Sequence, residues 1–163
     1  MAAAVVYGVI HDQITARICV EYFTKAHFYI GIADPTLLGF FWGIVGTWWV
    51  GLFLGVPLAI VSTFGKKPKI RAIDLVDYIC RLLVSMFAIA VLAGGISYLL
   101  AAQGQVRINP AYINVIPPGA YNAFIAVSGA HLASYLTGGC GGILIILSVW
   151  KKRCKLFQSS LES

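Results

Sequence analysis

The chain has 163 residues, 60% of them hydrophobic and only 11% charged, with a mean hydropathy of +0.86. A soluble globular domain carries about 25% charged residues, so most of this surface faces something other than water. The formal net charge of +6 gathers in two short runs rather than on a folded face with stacking aromatics, which argues against a nucleic-acid partner and for a lipid bilayer.

The first element is the weak one. Met1 to Ile10 is apolar but too short to cross a hydrocarbon core of about 30 Å. It reaches crossing length only if a helix covers about residues 2–23, through the polar run "HDQITARICVEYF". A secretory signal does not fit, because no basic segment precedes the apolar run and no small-residue cleavage motif follows it.

"ADPT" starts the second helix, with Asp34 as N-cap and Pro35 at the first helical position. No Asp, Glu, Lys, Arg or His occurs between Asp34 and Lys66, so a span over residues 35–64 is expected. Gly39 with Gly43, and Gly51 with Gly55, are small-xxx-small steps that allow close helix packing in lipid, within the chain or between copies. Pro57 predicts a kink, and Trp48 and Trp49 read as packing residues. After "KKPKIR" comes a third span, residues 74–102, whose first turns carry Asp74, Asp77 and Arg81. "NPAYINVIPPGA" holds three prolines and reads as a loop. A fourth span follows over residues 121–150, with small residues Ala126, Ala130, Ser134 and Gly138 on one face. "FQSSLES" reads as a solvated tail.

The expected fold is therefore all-α: one integral membrane domain over residues 1–163, built as a bundle of four transmembrane helices. Lys66, Lys67, Lys69 and Arg71 follow the second span, and Lys151, Lys152, Arg153 and Lys155 follow the fourth. The opposite ends carry only Arg17, Lys25 and Arg107. The positive-inside rule puts both termini in the cytoplasm. Cys19, Cys80, Cys140 and Cys154 form no CxxC pair, and Cys154 in its basic flank is compatible with acylation.

The candidate site comes from polarity in the wrong place. His11 lies nine residues into the first helix and His131 nine residues into the fourth from the other side, each roughly 14 Å deep. On the first helix, His11, Thr15 and Tyr22 share one face. Gln13, Arg17 and Glu21 share another at i,i+4 spacing, which suits Gln–Arg and Arg–Glu contacts. Asp12 projects between them. Ser134 and Tyr135 lie one turn beyond His131, and Ser97, Tyr98 and Ser128 lie in the same outer half. Such a helix should be enclosed by protein, at Val9 and Ile14 alike, around a polar pocket toward the non-cytoplasmic side.

Three readings stay open. The cluster is a structural network, with Arg17 on Glu21 or Asp12 and His11 bonded to Thr15 or to the fourth helix. Or it is a ligand or ion pocket in a binding protein or accessory subunit. Or it is a metal centre of a membrane-embedded enzyme, with Zn or Fe on His11, His131 and one of Glu21, Asp12 or His27. No HExxH-type ligand spacing, Ser/His/Asp order or phosphate-binding glycine loop is present. A homo-oligomer or a larger membrane complex is compatible with the glycine faces.

"YGVIHDQITARICVEYFT" and "AHLASYLTGG…WKKR" resemble a family of small uncharacterised bacterial multi-pass membrane proteins. Its members look similar over the whole chain, with a YGIxHDQxT motif ending the first span, EYFT soon after, and a HxxSYxGG-like motif in the last. The resemblance carries over His11, Asp12, Gln13, Thr15, Glu21, Tyr22, Phe23, His131, Ser134 and Tyr135. It implies a bacterial inner-membrane location and brings no activity. The chain has less sequence before Tyr7 than the family's first span, which implies that the cluster lies nearer the outer surface.

Overall fold

The computed structural model describes residues 1–162. Six helices form, and no strand occurs among the described residues: α1 (Ala2–Ile18), α2 (Val20–Lys25), α3 (Pro35–Val45), α4 (Trp48–Thr63), α5 (Val76–Ala102) and α6 (Tyr121–Glu162). The chain is all-helical, and three stretches are long and apolar enough to cross a membrane: Pro35–Thr63, Ala72–Ala102 and Pro118–Glu162.

The first element is not among them, and its geometry gives the reason. The helix does not continue to Phe23. Cys19 takes an extended backbone (φ −151°, ψ 96°), which ends α1 after 17 residues and restarts the chain as the six-residue α2. At 1.5 Å per residue α1 is roughly 26 Å long, short of the bilayer core.

Asp34 caps α3 as expected: its carboxylate accepts the Leu37 amide at 2.9 Å, with Pro35 next in line. The interruption in the second apolar stretch falls at Gly46–Thr47, between α3 and α4, while Pro57 lies within a continuous α4. The Thr47 hydroxyl donates to the Gly43 carbonyl at 2.5 Å beside that break. Trp48 and Trp49 are about half exposed, and Trp49 stacks on Tyr135. Beyond Trp150, α6 runs on to Glu162, so the basic flank and nearly all of the expected tail are helical.

The small residues do their work inside the chain. A Cβ on Gly43 would lie 2.6 Å from the Cα of Val9, and one on Gly39 would lie 3.0 Å from the Cα of Gln13. Only glycine lets α3 approach α1 this closely. Gly51 meets Met1 in the same way, so one glycine edge of α3 and α4 follows α1. On the other side, Gly94 lies against Ala126 and Ala130 where α5 packs on α6.

Burial of α1 is one-sided. Val9 is covered by Gly43, but Val6, Ile10, Ile14 and Ile18 form an exposed apolar stripe. Ile14 is therefore open, contrary to the expectation that the whole helix is enclosed. Protein covers the polar face, and the stripe is apolar enough to face hydrocarbon.

At the end carrying the basic runs, Arg153 is 2% exposed. Its guanidinium donates to the carbonyls of Pro68 (2.7 Å), Lys67 (2.7 Å), Phe64 (3.1 Å) and Val61. Val61 and Phe64 are orphan acceptors at the C-terminus of α4, where a cation suits the helix dipole. One residue of the basic flank thus closes the loop between α4 and α5. Asp77 pairs with Arg81 at 2.9 Å, and Asp74 pairs with Arg71 at 3.2 Å.

Candidate functional site

The face of α1 that carries Tyr7, His11 and Thr15 turns inward, and Asp12 turns with it; all four are buried. α6 presents His131 and Ser134 one turn apart, also buried. His131 sits among rings. The centroids of His11 and Tyr22 each lie 4.6 Å from its own, and that of Phe23 lies at 5.7 Å. Tyr22 and Phe23 reach it because the break at Cys19 folds α2 over the end of α1.

Polar contacts fix the histidine's orientation. His131 Nδ1 lies 2.9 Å from the Val127 carbonyl oxygen, which can only accept, so Nδ1 carries the hydrogen and donates. Nε2 then faces Asp12 Oδ1 at 3.1 Å. A neutral imidazole would present a lone pair to a carboxylate there, so the pair calls for a cation between or on them. His11 Nε2 is buried and has no hydrogen-bond partner. One donor atom from each of His11, Asp12 and His131 lies within 4.8 Å of the others. Close by, the Tyr7 hydroxyl and Ser134 hydroxyl share a 2.7 Å hydrogen bond, and the Tyr135 hydroxyl donates to the Gly46 carbonyl at 3.2 Å.

The remaining candidates go elsewhere. Glu21 does not join the two histidines. It belongs to α2, beyond the break, and accepts the Cys19 thiol at 3.4 Å; Asp12 supplies the carboxylate instead. Arg17 does not turn to Glu21 or Asp12. It donates to Gln13 Oε1 at 2.7 Å and to the Thr36 hydroxyl at 2.9 Å, while Gln13 donates to the Thr36 carbonyl at 2.8 Å. Gln13 and Arg17 thus clamp α1 to the first turn of α3, on the side away from the site. The Thr15 hydroxyl donates to the backbone carbonyl of His11 at 3.0 Å and leaves the ring free. His27 packs on Trp42 with its Nδ1 3.0 Å from the Tyr22 carbonyl oxygen.

Tyr7 is a site residue that the sequence reading passed over. It stands one turn before His11 on the face shared with Thr15, and that i−4 spacing was the available signal.

Two cavities meet at His11. One, of about 150 Å³, has Tyr7, His11, Asp12, His131 and Ser134 at one end and is otherwise almost wholly apolar, running between α4, α5 and α6. The other, of about 390 Å³, lies between α1 and α5 over Ala126 and Ala130, with Thr15 and Tyr98 as its polar residues. The polar part is thus small, a patch of side chains at the junction of two apolar spaces.

Comparison with protein-family models, with curated proteins and with solved structures finds no match for this chain.

Proposed function

We propose that the chain is an ion-binding integral membrane protein whose centre is His11, Asp12 and His131. The observation that carries this reading is the set of three converging acceptors. A proton on His131 would satisfy the pair with Asp12 and leave His11 Nε2 unpartnered in a buried site. One metal ion would satisfy all three once donor atoms that lie within 4.8 Å of one another draw in to the roughly 4.2 Å that ligands about 2.1 Å from one ion can span. The 3.1 Å between His131 Nε2 and Asp12 Oδ1 is close to the spacing of two donors each about 2.1 Å from one ion. A donor from Nδ1 to a backbone carbonyl is also the usual outer-shell support of a ligating histidine. Two imidazoles and a carboxylate suit zinc or non-haem iron.

α1 runs alongside the three long apolar helices as a short fourth span. The basic runs at the α4–α5 loop and on α6 support a cytoplasmic C-terminus, with the centre toward the opposite side. The motif resemblance supports a bacterial inner membrane.

One feature favours a second reading, a membrane-embedded metal-dependent enzyme. Three protein ligands leave coordination positions free, as catalytic sites do, and a cavity abuts them.

The test is elemental analysis of protein purified without a metal-binding tag. One equivalent of zinc or iron per chain is expected. His11→Ala and His131→Ala should each lose it, and the double variant should lose no more than the worse single one, because the ligands act as a unit. Metal-free protein whose stability is unchanged by added zinc or iron would overturn the reading.

A further inference from the structure

The larger cavity at His11 has a buried floor and an exposed rim. His11, Thr15, Ala90, Ala126, Val127 and Ala130 line it and are buried. Ile14 and Ile18 of α1, and Phe87, Val91 and Tyr98 of α5, line it and are exposed. The space therefore opens sideways between α1 and α5, on a surface apolar enough to face hydrocarbon. A cavity of about 150 Å³ holds benzene, so one of about 390 Å³ takes a substituted ring and falls within the range of small-molecule sites, about 300–1,000 Å³. Gly94 and the three alanines leave the floor without branches, which suits a flat occupant.

Polarity decides what kind of molecule belongs there. No Asp, Glu, Lys or Arg lines the cavity, and an uncompensated charge among apolar helices is costly, so the occupant is neutral. The free polar groups of the lining are donors. The Tyr98 hydroxyl has no partner among the described residues. A His11 ring that ligates through Nε2 carries its hydrogen on Nδ1, and among the described residues nothing accepts it. Thr15 already gives its hydrogen to the His11 carbonyl. One free donor on α1 and one on α5 call for a flat, neutral molecule with two acceptors.

We propose that this cavity binds the ring of a lipid-soluble quinone, its carbonyl oxygens accepting from Tyr98 and His11 and its chain leaving past Ile14, Ile18 and Val91 into the bilayer. The choice of Nδ1 as the His11 donor rests on reading His11, Asp12 and His131 as the metal centre. An acyl chain of a bilayer lipid fits less well, because it offers neither donor an acceptor.

The test is photolabelling in phosphatidylcholine vesicles with a decyl benzoquinone that carries an azide on its ring, with peptides mapped by mass spectrometry. Labelling should concentrate on the cavity, within residues 14–18, 87–98 and 126–130. Unlabelled decyl benzoquinone should compete; decanol, which has the chain without the ring, should not. Tyr98→Phe should reduce cavity labelling several-fold. Gly95 lines the cavity, and a Cβ added there meets nothing within 4 Å. Gly95→Leu should therefore narrow the mouth and reduce labelling several-fold without disturbing the packing of α5. Labelling of outward residues such as Leu132 and Leu136 should stay unchanged in both variants. Labelling confined to outward residues would overturn the inference, as would displacement by decanol as complete as by the quinone, or full cavity labelling in either variant. Metal content measured on the same preparation separates the two readings. Bound metal without cavity labelling removes the quinone alone. Saturable, ring-specific labelling of metal-free protein supports the quinone and removes the metal.

Discussion

Gly43→Ala adds one methyl group at the closest approach of α3 to α1. Its Cβ would lie 2.6 Å from Val9 Cα and 2.7 Å from Val9 N, both backbone atoms that cannot rotate away. Ordinary contact begins at 3.4 Å, so the two helices must part by about 0.8 Å in a close-packed interface. Overpacking of this kind costs about 1–3 kcal/mol, and exchanging a helical glycine for alanine returns roughly 1 kcal/mol. The net loss should reach about 2 kcal/mol. Gly139→Ala is the control, because nothing lies within 4 Å of its added Cβ; it should be neutral or stabilising by roughly 1 kcal/mol. Thermal unfolding in mild detergent, followed by size-exclusion or tryptophan fluorescence, compares the two. Val9 is two residues from His11, so Gly43→Ala should also weaken metal binding while Gly139→Ala should not. If Gly43→Ala melts with or above Gly139→Ala, the close α1–α3 packing is wrong, and with it the register that places His11 against His131.

Arg153→Ala strips four carbonyls of their charged donor at the end of α4. Hydrogen bonds to charged groups contribute about 1.5–3 kcal/mol net each, and water reaches some of the freed carbonyls at this helix end, so a loss of at least roughly 3 kcal/mol is expected. Arg153→Lys should recover less than half, because an ammonium cannot span a fork of four acceptors; full rescue by lysine would show that only charge matters there. For topology, reporter domains fused after Phe64 and after residue 163 should report cytoplasm, and one near Asn114 the opposite side. A non-cytoplasmic C-terminus would reverse the assignment of the basic runs.

Much of this chain could be read without coordinates. The absence of charge from Asp34 to Lys66 and from Arg81 to Arg107 leaves those segments no conformation but helix in an apolar medium, where every backbone group must be satisfied internally. Asp34–Pro35 marks a helix start by local chemistry alone. The periodicity of α1 shows two polar faces, because residues three and four apart share a side of a helix.

What the sequence could not decide was which polar residue meets which, since that depends on helix rotation and on one local break. The extended backbone at Cys19 separates Glu21 from the face of α1 and brings Tyr22 over His131 instead. The α1–α3 glycine approach sends Gln13 and Arg17 to Thr36. Arg153, in a run of four basic residues among which nothing local distinguishes it, is the one turned inward to the α4 carbonyls. The three long apolar helices and the Asp34 cap follow from single-helix chemistry, which the sequence carries. The pairing of Asp12 with His131 and the unpartnered Nε2 of His11 arise from the rotation and register of one helix on another, which only tertiary packing decides.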